Sequence, residues 1–267
     1  MTKKLQSITN KTAPVIAVAV IILIWYLCCD AEVVPAYMLP SPTKVVTAFI
    51  NNFDVMMKQA AVTLQETLYG LLIGIASAFV IAVIMDRFKW LYKAIYPILV
   101  VTQTIPTIAI APLLVLWMGF GMAPKITLVV ITTFFPIVIG LLTGFEGVDP
   151  DAINLMRAMG ANRYQIFRYV KFPNAIASFF SGLRISSAYA VVGAVVSEWL
   201  GGFEGLGVYM TRVKKAYAFD KMFAVIVFIS AISLVLMGIV SLLERAAMPW
   251  AKKTKKKNSQ YNKKDLK

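Results

Sequence analysis

Residues 147–173 read Gly147-Val-Asp-Pro-Asp-Ala-Ile-Asn-Leu-Met-Arg-Ala-Met-Gly160, then Ala161-Asn-Arg-Tyr-Gln-Ile-Phe-Arg-Tyr-Val-Lys-Phe-Pro173. Asp149 is placed to N-cap a helix, with Pro150 at its first position and Asp151 favourable to the helix dipole. Gly160 is placed to end that helix, because the residue after a C-cap commonly takes positive φ. Asn162 and Gln165 have the spacing of a capping box for a second short helix, which Pro173 limits. The expectation is helix, tight turn, helix. Its apolar groups, Leu155, Met156, Met159, Ile166, Phe167 and Val170, are too many to leave in water. They either pack on the chain's own helix ends or fill a groove on a partner. Arg157, Arg163 and Arg168 border that contact.

What surrounds this elbow is membrane. The 267 residues are 59% apolar and only 15% charged, with a mean hydropathy of +0.74, where a soluble domain is nearer half apolar and a quarter charged. The surplus is grouped into six runs long enough to cross about 30 Å of hydrocarbon, over 13–29, 60–85, 94–118, 126–145, 175–198 and 222–243. The first follows Lys3, Lys4 and Lys11 as a signal peptide would. It continues through Trp25-Tyr26-Leu27 without a small-residue cleavage pattern, so it reads as a retained helix.

Lys and Arg set the orientation. With the N-terminus inside, cytoplasmic segments hold nineteen of them, among them Arg87, Lys89, Lys93, Arg157, Arg163, Arg168, Lys171 and Arg245. The outside holds seven: Lys44, Lys58, Lys125, Arg212, Lys214, Lys215 and Lys221. Both termini are then cytoplasmic, although Arg212-Val-Lys-Lys215 runs against the trend. The net charge of +14 comes largely from the Lys-rich tail after Trp250, which reads as a segment drawn to anionic lipid heads. No aromatic platform accompanies those lysines, so nucleic acid is not the partner. Histidine is absent and the only cysteines, Cys28 and Cys29, are adjacent in an apolar run. Metal centres, disulfide frameworks and His-dependent catalysis are excluded on those counts.

Several residues at membrane depth are candidates for function. The fifth run carries Gly182, Ser186, Ala190 and Ala194 at four-residue spacing, ending at Glu198, and the second repeats the device with Gly70, Gly74, Ala78 and Ala82. Small residues allow close backbone approach, so these stripes either pack helices within the subunit or border a translocation path. In the third run, Pro97, Pro106 and Pro112 interrupt the helix, and Thr102, Gln103 and Thr104 either line a wet cavity or satisfy the freed carbonyls. Glu66 and Glu198 lie near the outer ends of the second and fifth spans, with Arg184 a turn or two inside the latter. They are interfacial or ion-paired groups, or parts of a path. No second buried carboxylate or histidine completes a proton relay.

The elbow resembles the signature of permease subunits of ATP-binding-cassette importers, in which a Glu-Ala-Ala run precedes a glycine and an Ile-x-Leu-Pro ending. Here Asn154-Leu155-Met156 stands at the Glu-Ala-Ala place, Gly160 is kept, and Val170-Lys-Phe-Pro173 falls at the spacing of the ending. Leu39-Pro-Ser-Pro42 before an amphipathic helix (Val45, Val46, Phe49, Ile50, Phe53) looks like the subgroup importing nitrate, sulfonates, taurine and thiamine precursors. Ile105-Pro106, Ala111-Pro-Leu113, Leu116-Trp-Met-Gly-Phe-Gly121, Phe134-Phe-Pro-Ile137, Ser197-Glu-Trp-Leu-Gly-Gly202 and Gly205-Leu-Gly207 continue the match in order.

The resemblance implies an all-α integral membrane protein with six transmembrane helices in the type I importer permease fold, N-in and C-in. Its segments would be a cytoplasmic N-terminus (1–12), a first span with an external amphipathic stretch (13–59), a permease core (60–245) with its coupling loop at 146–174, and a basic tail (246–267). It implies a homodimer in the cell membrane of a prokaryote, an ATPase subunit below and an extracytoplasmic binding protein or lipoprotein above. The chain has no Gly-x-x-x-x-Gly-Lys loop, so ATP belongs to the partner and the permease carries no cofactor, metal or catalytic residue.

Asp151, Asn154, Leu155, Met156, Arg157, Met159, Gly160, Asn162, Ile166, Phe167, Val170 and Pro173 are then the ATPase-coupling loop. Gln103, Thr104, Pro106, Arg184, Glu198, Gly201 and Gly202 are the candidate path or gate. The cargo is a small organic solute. The last span resembles members handling thiamine pyrimidine precursors more than those for sulfonates, taurine or nitrate. An ATP-independent transporter or channel, and a membrane scaffold, are the rival classes.

Overall fold

The computed structural model describes residues 2–35 and 37–249, with side chains from residue 12 onward, and most of the basic tail lies outside the described residues. The described chain is helical almost throughout: α1 Thr2–Asp30, α2 Pro42–Asn51, α3 Phe53–Arg87, α4 Lys89–Thr102, α5 Thr107–Met118, α6 Met122–Glu146, α7 Pro150–Ala158, α8 Arg163–Ile166, α9 Phe172–Gly201, α10 Leu206–Lys215 and α11 Phe219–Ala247. Five helices are long and apolar enough to cross a membrane, and α4 with α5 makes a sixth crossing bent by 100°.

Contacts between helix ends order these crossings. Glu66 of α3, Lys125 of α6 and Glu198 of α9 gather at one end of the bundle, where α10 begins. Asp86 of α3, Phe145 of α6 and Lys171 gather at the other. The bent α4–α5 pair therefore carries the chain from the Asp86 end to the Lys125 end, which makes it a true crossing. Trp25 of α1 packs on Phe223 at the start of α11, with ring centroids 5.8 Å apart. It also donates to the Pro40 carbonyl at 3.2 Å, so α1 ends on the same side as α10. With the Lys/Arg-rich end inside, both termini are cytoplasmic. The contrary cluster Arg212, Lys214 and Lys215 does lie outside, at the exposed end of α10.

The core is the seam where α6 and α3 meet α9. The small stripe of α9 (Gly182, Ser186, Ala190, Ala194) and that of α3 (Gly70, Gly74, Ala78, Ala82) are buried against α6. A Cβ on Gly182 would meet the Pro136 carbonyl oxygen at 2.3 Å, and one on Gly144 would meet the Ala175 Cα at 2.5 Å. Ser186 donates across the seam to the Thr133 carbonyl at 2.8 Å. Of the two readings the stripes allowed, packing within the subunit is the one observed: backbones approach where no side chain intervenes, and dispersion substitutes for the hydrophobic drive that lipid removes.

Two sequence expectations need correction. The third span is not one kinked helix. Pro106 lacks an amide and restrains Ile105, so the helix stops at Thr102 and restarts at Thr107. Pro173 does not separate the elbow's second helix from the fifth span, because Arg163–Gly201 forms one continuous rod. The turn before Pro173 widens to a π-helix over Phe167–Lys171, where the Phe172 amide reaches back to the Phe167 carbonyl, and this wider turn accommodates the proline within the rod. Smaller shifts follow from packing. The second span starts at Phe53 rather than residue 60, and α2 buries Val45 and Ala48 while Val46 and Ile50 stay exposed.

Gly182→Ala should lower the melting temperature of the detergent-purified protein, by the equivalent of about 1–3 kcal/mol, because the added methyl is forced onto backbone. Gly238→Ala, with nothing within 4 Å of its would-be Cβ, should leave the melt unchanged or raise it through helix propensity. Equal effects at both positions would count against the seam.

Candidate functional site

The cytoplasmic elbow forms by the local chemistry its sequence spells. The Asp149 carboxylate accepts from the Asp151 amide at 2.9 Å. Gly160 has φ +82°, and the Gly160 and Ala161 amides donate to the Arg157 and Met156 carbonyls, each at 2.9 Å, a complete Schellman closure. Asn162 and Gln165 exchange side-chain and backbone bonds at 2.7 and 2.9 Å, so the capping box is present on both sides.

The apolar set of the elbow divides in two. Ile166 is buried and Met156, Phe167 and Val170 are half-buried, Phe167 packing on Phe145 with centroids 5.3 Å apart. Leu155 and Met159 stay 63% and 74% exposed at the tip, on a helix that buries no residue at all. Part of the elbow thus packs on the chain's own helix ends while its tip is left without cover.

The elbow is braced at its base. Lys171 pairs with Asp86 at the end of α3 at 2.6 Å. The Asn174 amide donates to the Gly144 carbonyl at 2.9 Å, and Phe172 stands edge-on to Phe79. The base of the elbow is thus in contact with α3, α6 and α9 together.

At the outer end Glu66 and Glu198, both fully buried, share one cluster, which corrects the expectation that neither has a second buried carboxylate near it. Lys125 donates to Glu66 at 2.6 Å and reaches the Glu204 carbonyl at 3.4 Å. Glu198 accepts from Thr63 at 2.7 Å and from the Gly207 amide at 2.6 Å. The Leu206 amide donates to the Thr63 hydroxyl at 2.9 Å, and the Gly205 amide to Gln59 at 2.7 Å. Three amides at the start of α10, which a helix of its own cannot satisfy, are thus met by side chains of α3 and α9. Gly205 takes φ +120°, and a Cβ there would fall 2.2 Å from the Glu198 carboxyl, so the turn that follows Gly201 and Gly202 fits only glycine against Glu198. Lys125, Gln59 and Thr63 are the residues that sequence reasoning missed. Lys125 had been counted as a loop charge, although a lysine in the first turn of an apolar run requires a partner at that depth.

Arg184 stands apart from this cluster. Fourteen residues separate it from Glu198, about 21 Å along a helix, which places it deeper than a turn or two. It forms an ion pair with Glu244 of α11, the interhelical alternative of its two readings. Gln103, Thr104 and Pro106 sit together at the bend between α4 and α5, all exposed in the single chain. The Thr102 and Thr104 hydroxyls donate to the Leu99 and Val101 carbonyls at 2.7 and 2.8 Å, so they satisfy the break. Gln103 is exposed, with its backbone amide on the Val100 carbonyl at 3.2 Å.

Lys125→Ala strands Glu66 in a dry site and should cost about 3–5 kcal/mol of stability, whereas Glu66→Leu with Lys125→Met should recover most of it. Thermal melts of the three variants check this, and a double variant no better than the single would refute the pairing as the dominant contact.

Comparisons with known proteins follow the same lines. The family described as "Binding-protein-dependent transport system inner membrane component" matches residues 70–248. A "Probable ABC transporter permease protein" of Haemophilus influenzae is 34% identical over 223 residues, covering 84% of this chain and 91% of the relative. The "Formylaminopyrimidine transport permease protein ThiX" of Halalkalibacterium halodurans is 34% identical over 218 residues, covering 81% of this chain and 87% of the relative. Among solved structures, a chain of the MetNI methionine ABC transporter in an inward-facing conformation superposes with a TM-score of 0.65 at 19% identity, over 74% of this chain and 98% of that one. With six crossings, a braced cytoplasmic elbow and a family match over most of its length, this chain belongs to the binding-protein-dependent transport system inner membrane components, the multi-pass permease subunits of ATP-binding-cassette importers in the cell membrane.

Proposed function

We propose that the exposed tip of the elbow is the docking point of a separate ATPase subunit, and that ATP is bound and hydrolysed there and not in this chain. The observation that carries the reading is the pairing of Leu155 and Met159, left bare at the tip, with a base held rigidly by Lys171–Asp86 and Asn174–Gly144. A bare apolar tip needs a groove to cover it, and a rigid base turns movement of that groove into a tilt of α3, α6 and α9. Nucleotide-driven closure of the ATPase then biases the bundle between outward- and inward-facing arrangements, a two-state shift.

A second copy of the chain completes the pathway. α4 rises about 21 Å from the cytoplasmic corner before it breaks, short of the roughly 30 Å hydrocarbon layer. The break at Gln103–Pro106 therefore lies at membrane depth, where irregular backbone is tolerated only against protein or water. It is exposed in the single chain, as are Leu116 and Trp117 of α5 at 77% and 71%. Two copies facing each other across this break would enclose a wet path bordered by Gln103, Thr104 and Pro106. The Glu198-anchored turn through Gly201 and Gly202 would stand at its outer mouth, beneath an extracytoplasmic binding protein. The solute is a small organic molecule of the pyrimidine-precursor kind, a reading supported by the relative named for formylaminopyrimidine and by the form of the last span.

Gly160→Leu forces a leucine into positive φ at a cost of about 1–2 kcal/mol and deforms only the elbow, since nothing lies within 4 Å of its would-be Cβ. It should abolish ATP-driven uptake in proteoliposomes while the permease still folds, and Leu155→Asp should reduce the ATPase that co-purifies. Wild-type uptake by the Gly160→Leu protein, or uptake by the permease without its ATPase, would sink the reading. For the homodimer, Thr104→Cys in a background with Cys28 and Cys29 replaced should give disulfide-linked dimers in membranes, and Val18→Cys on lipid-exposed α1 should not.

A further inference from the structure

A cavity of about 530 Å³ opens at the cytoplasmic border of the bundle, between the α3–α4 corner, the end of α6 and the first arm of the elbow. Its walls carry four cations, Lys89, Lys93, Arg157 and Lys171, against two carboxylates, Asp86 and Glu146. The pairing of Lys171 with Asp86 cancels one of each. Among the described residues Lys89, Lys93 and Arg157 enter no ion pair, and Glu146 alone offsets them. The floor is apolar, formed by Met85, Leu142 and Phe145, all buried.

The position suits one kind of ligand. The corner is where α3 leaves the membrane and α4 enters it, and it presents Trp90 and Phe88, both exposed, with the Arg87 guanidinium 5.4 Å from the Phe88 ring centroid. Exposed aromatics beside cations mark the headgroup level of a bilayer. A cationic cavity at that level, walled also by the half-buried Tyr92 and Ile153 and flanked by exposed Phe88 and Trp90, matches a phosphate that carries acyl chains better than a free anion, which gains nothing from apolar walls. Basic recesses between helices on the cytoplasmic side attract anionic headgroups by the same electrostatics.

We propose that this cavity seats the phosphate headgroup of an anionic phospholipid of the cytoplasmic leaflet, with Lys89 and Lys93 from the corner and Arg157 from the elbow around the phosphate. A lipid held there adds a second charge contact between the elbow and the α3–α4 corner, beside the Lys171–Asp86 pair. The site is independent of which ATPase or solute the permease serves.

The test is lipid retention by the full chain, purified with whatever ATPase co-elutes and exchanged into nanodiscs or detergent containing equal phosphatidylglycerol and phosphatidylcholine. Native mass spectrometry reads the bound lipid. The wild type should retain phosphatidylglycerol preferentially. Lys89→Gln and Lys93→Gln should each lower that preference by about fivefold, and together by more. Lys93→Arg should keep it, and so should Lys58→Gln, which removes an exposed lysine from the outer end of α3. Melting curves in phosphatidylcholine should be the same for all of these, because Lys89 and Lys93 are exposed and unpaired. Unchanged preference in the double variant, or equal loss in Lys58→Gln, overturns the site. Displacement of phosphatidylglycerol by soluble glycerol 3-phosphate overturns the lipid assignment in favour of a free phosphate. Lipid retention is read whether or not an ATPase co-elutes, so its failure is separate from failure of the elbow to bind one.

Discussion

The close backbone contact between α6 and α9 is the constraint on which the remainder of the molecule hangs. Glycines at 140, 144 and 182 let the two helices meet with main chain against main chain, and the Ser186–Thr133 bond fixes their register. In lipid no hydrophobic drive holds helices together, so proximity, dispersion and a few interhelical hydrogen bonds must supply the cohesion. Because α6 also packs α3 along Gly70 and Gly74, three helices move as one body. Their lower ends hold the elbow and their upper ends hold the carboxylate cluster.

The elbow and the outer turn are held by the same group of helices. The elbow is continuous with α9 through the π-turn at Phe167–Lys171, and its base is pinned to α3 and α6. At the far end Glu198, Thr63 and Gln59 cap α10, so the outer turn is tied to α9 and α3, which also hold the elbow. Buried charge in this place is weak evidence for stability. Its structural effect is to hold the outer turn on α3 and α9, whose inner ends also carry the elbow.

Local signals were legible wherever the chemistry is short-range. Asp149, Pro150, Gly160, Asn162 and Gln165 act within a few residues of themselves, and each does in the structure what its type and spacing imply. The crossings were legible because apolar length is a property of one segment, and orientation because Lys and Arg counts are local to each end. What failed did so for non-local reasons. Pro173 was read as a stop because its missing amide is a local fact, whereas the wider π-turn that absorbs it leaves a continuous rod packed on α6 and α3. Lys125 reads as an outside charge because Glu66 stands fifty-nine residues away, and the partner of Arg184 is out of reach of the sequence because Glu244 lies on another helix; the depth of Arg184, fourteen residues from Glu198, was a matter of counting.

Sequence alone settled the class of molecule, the number of crossings, the side on which the termini lie and the shape of the elbow, since hydropathy, charge bias and capping are read one segment at a time. Tertiary structure decided which small residues are packing surface, which charges are paired, which elbow side chains remain bare and where a broken helix turns. Those outcomes depend on what another helix brings to the same point in space: a carbonyl opposite Gly182, a lysine opposite Glu66, and nothing opposite Met159.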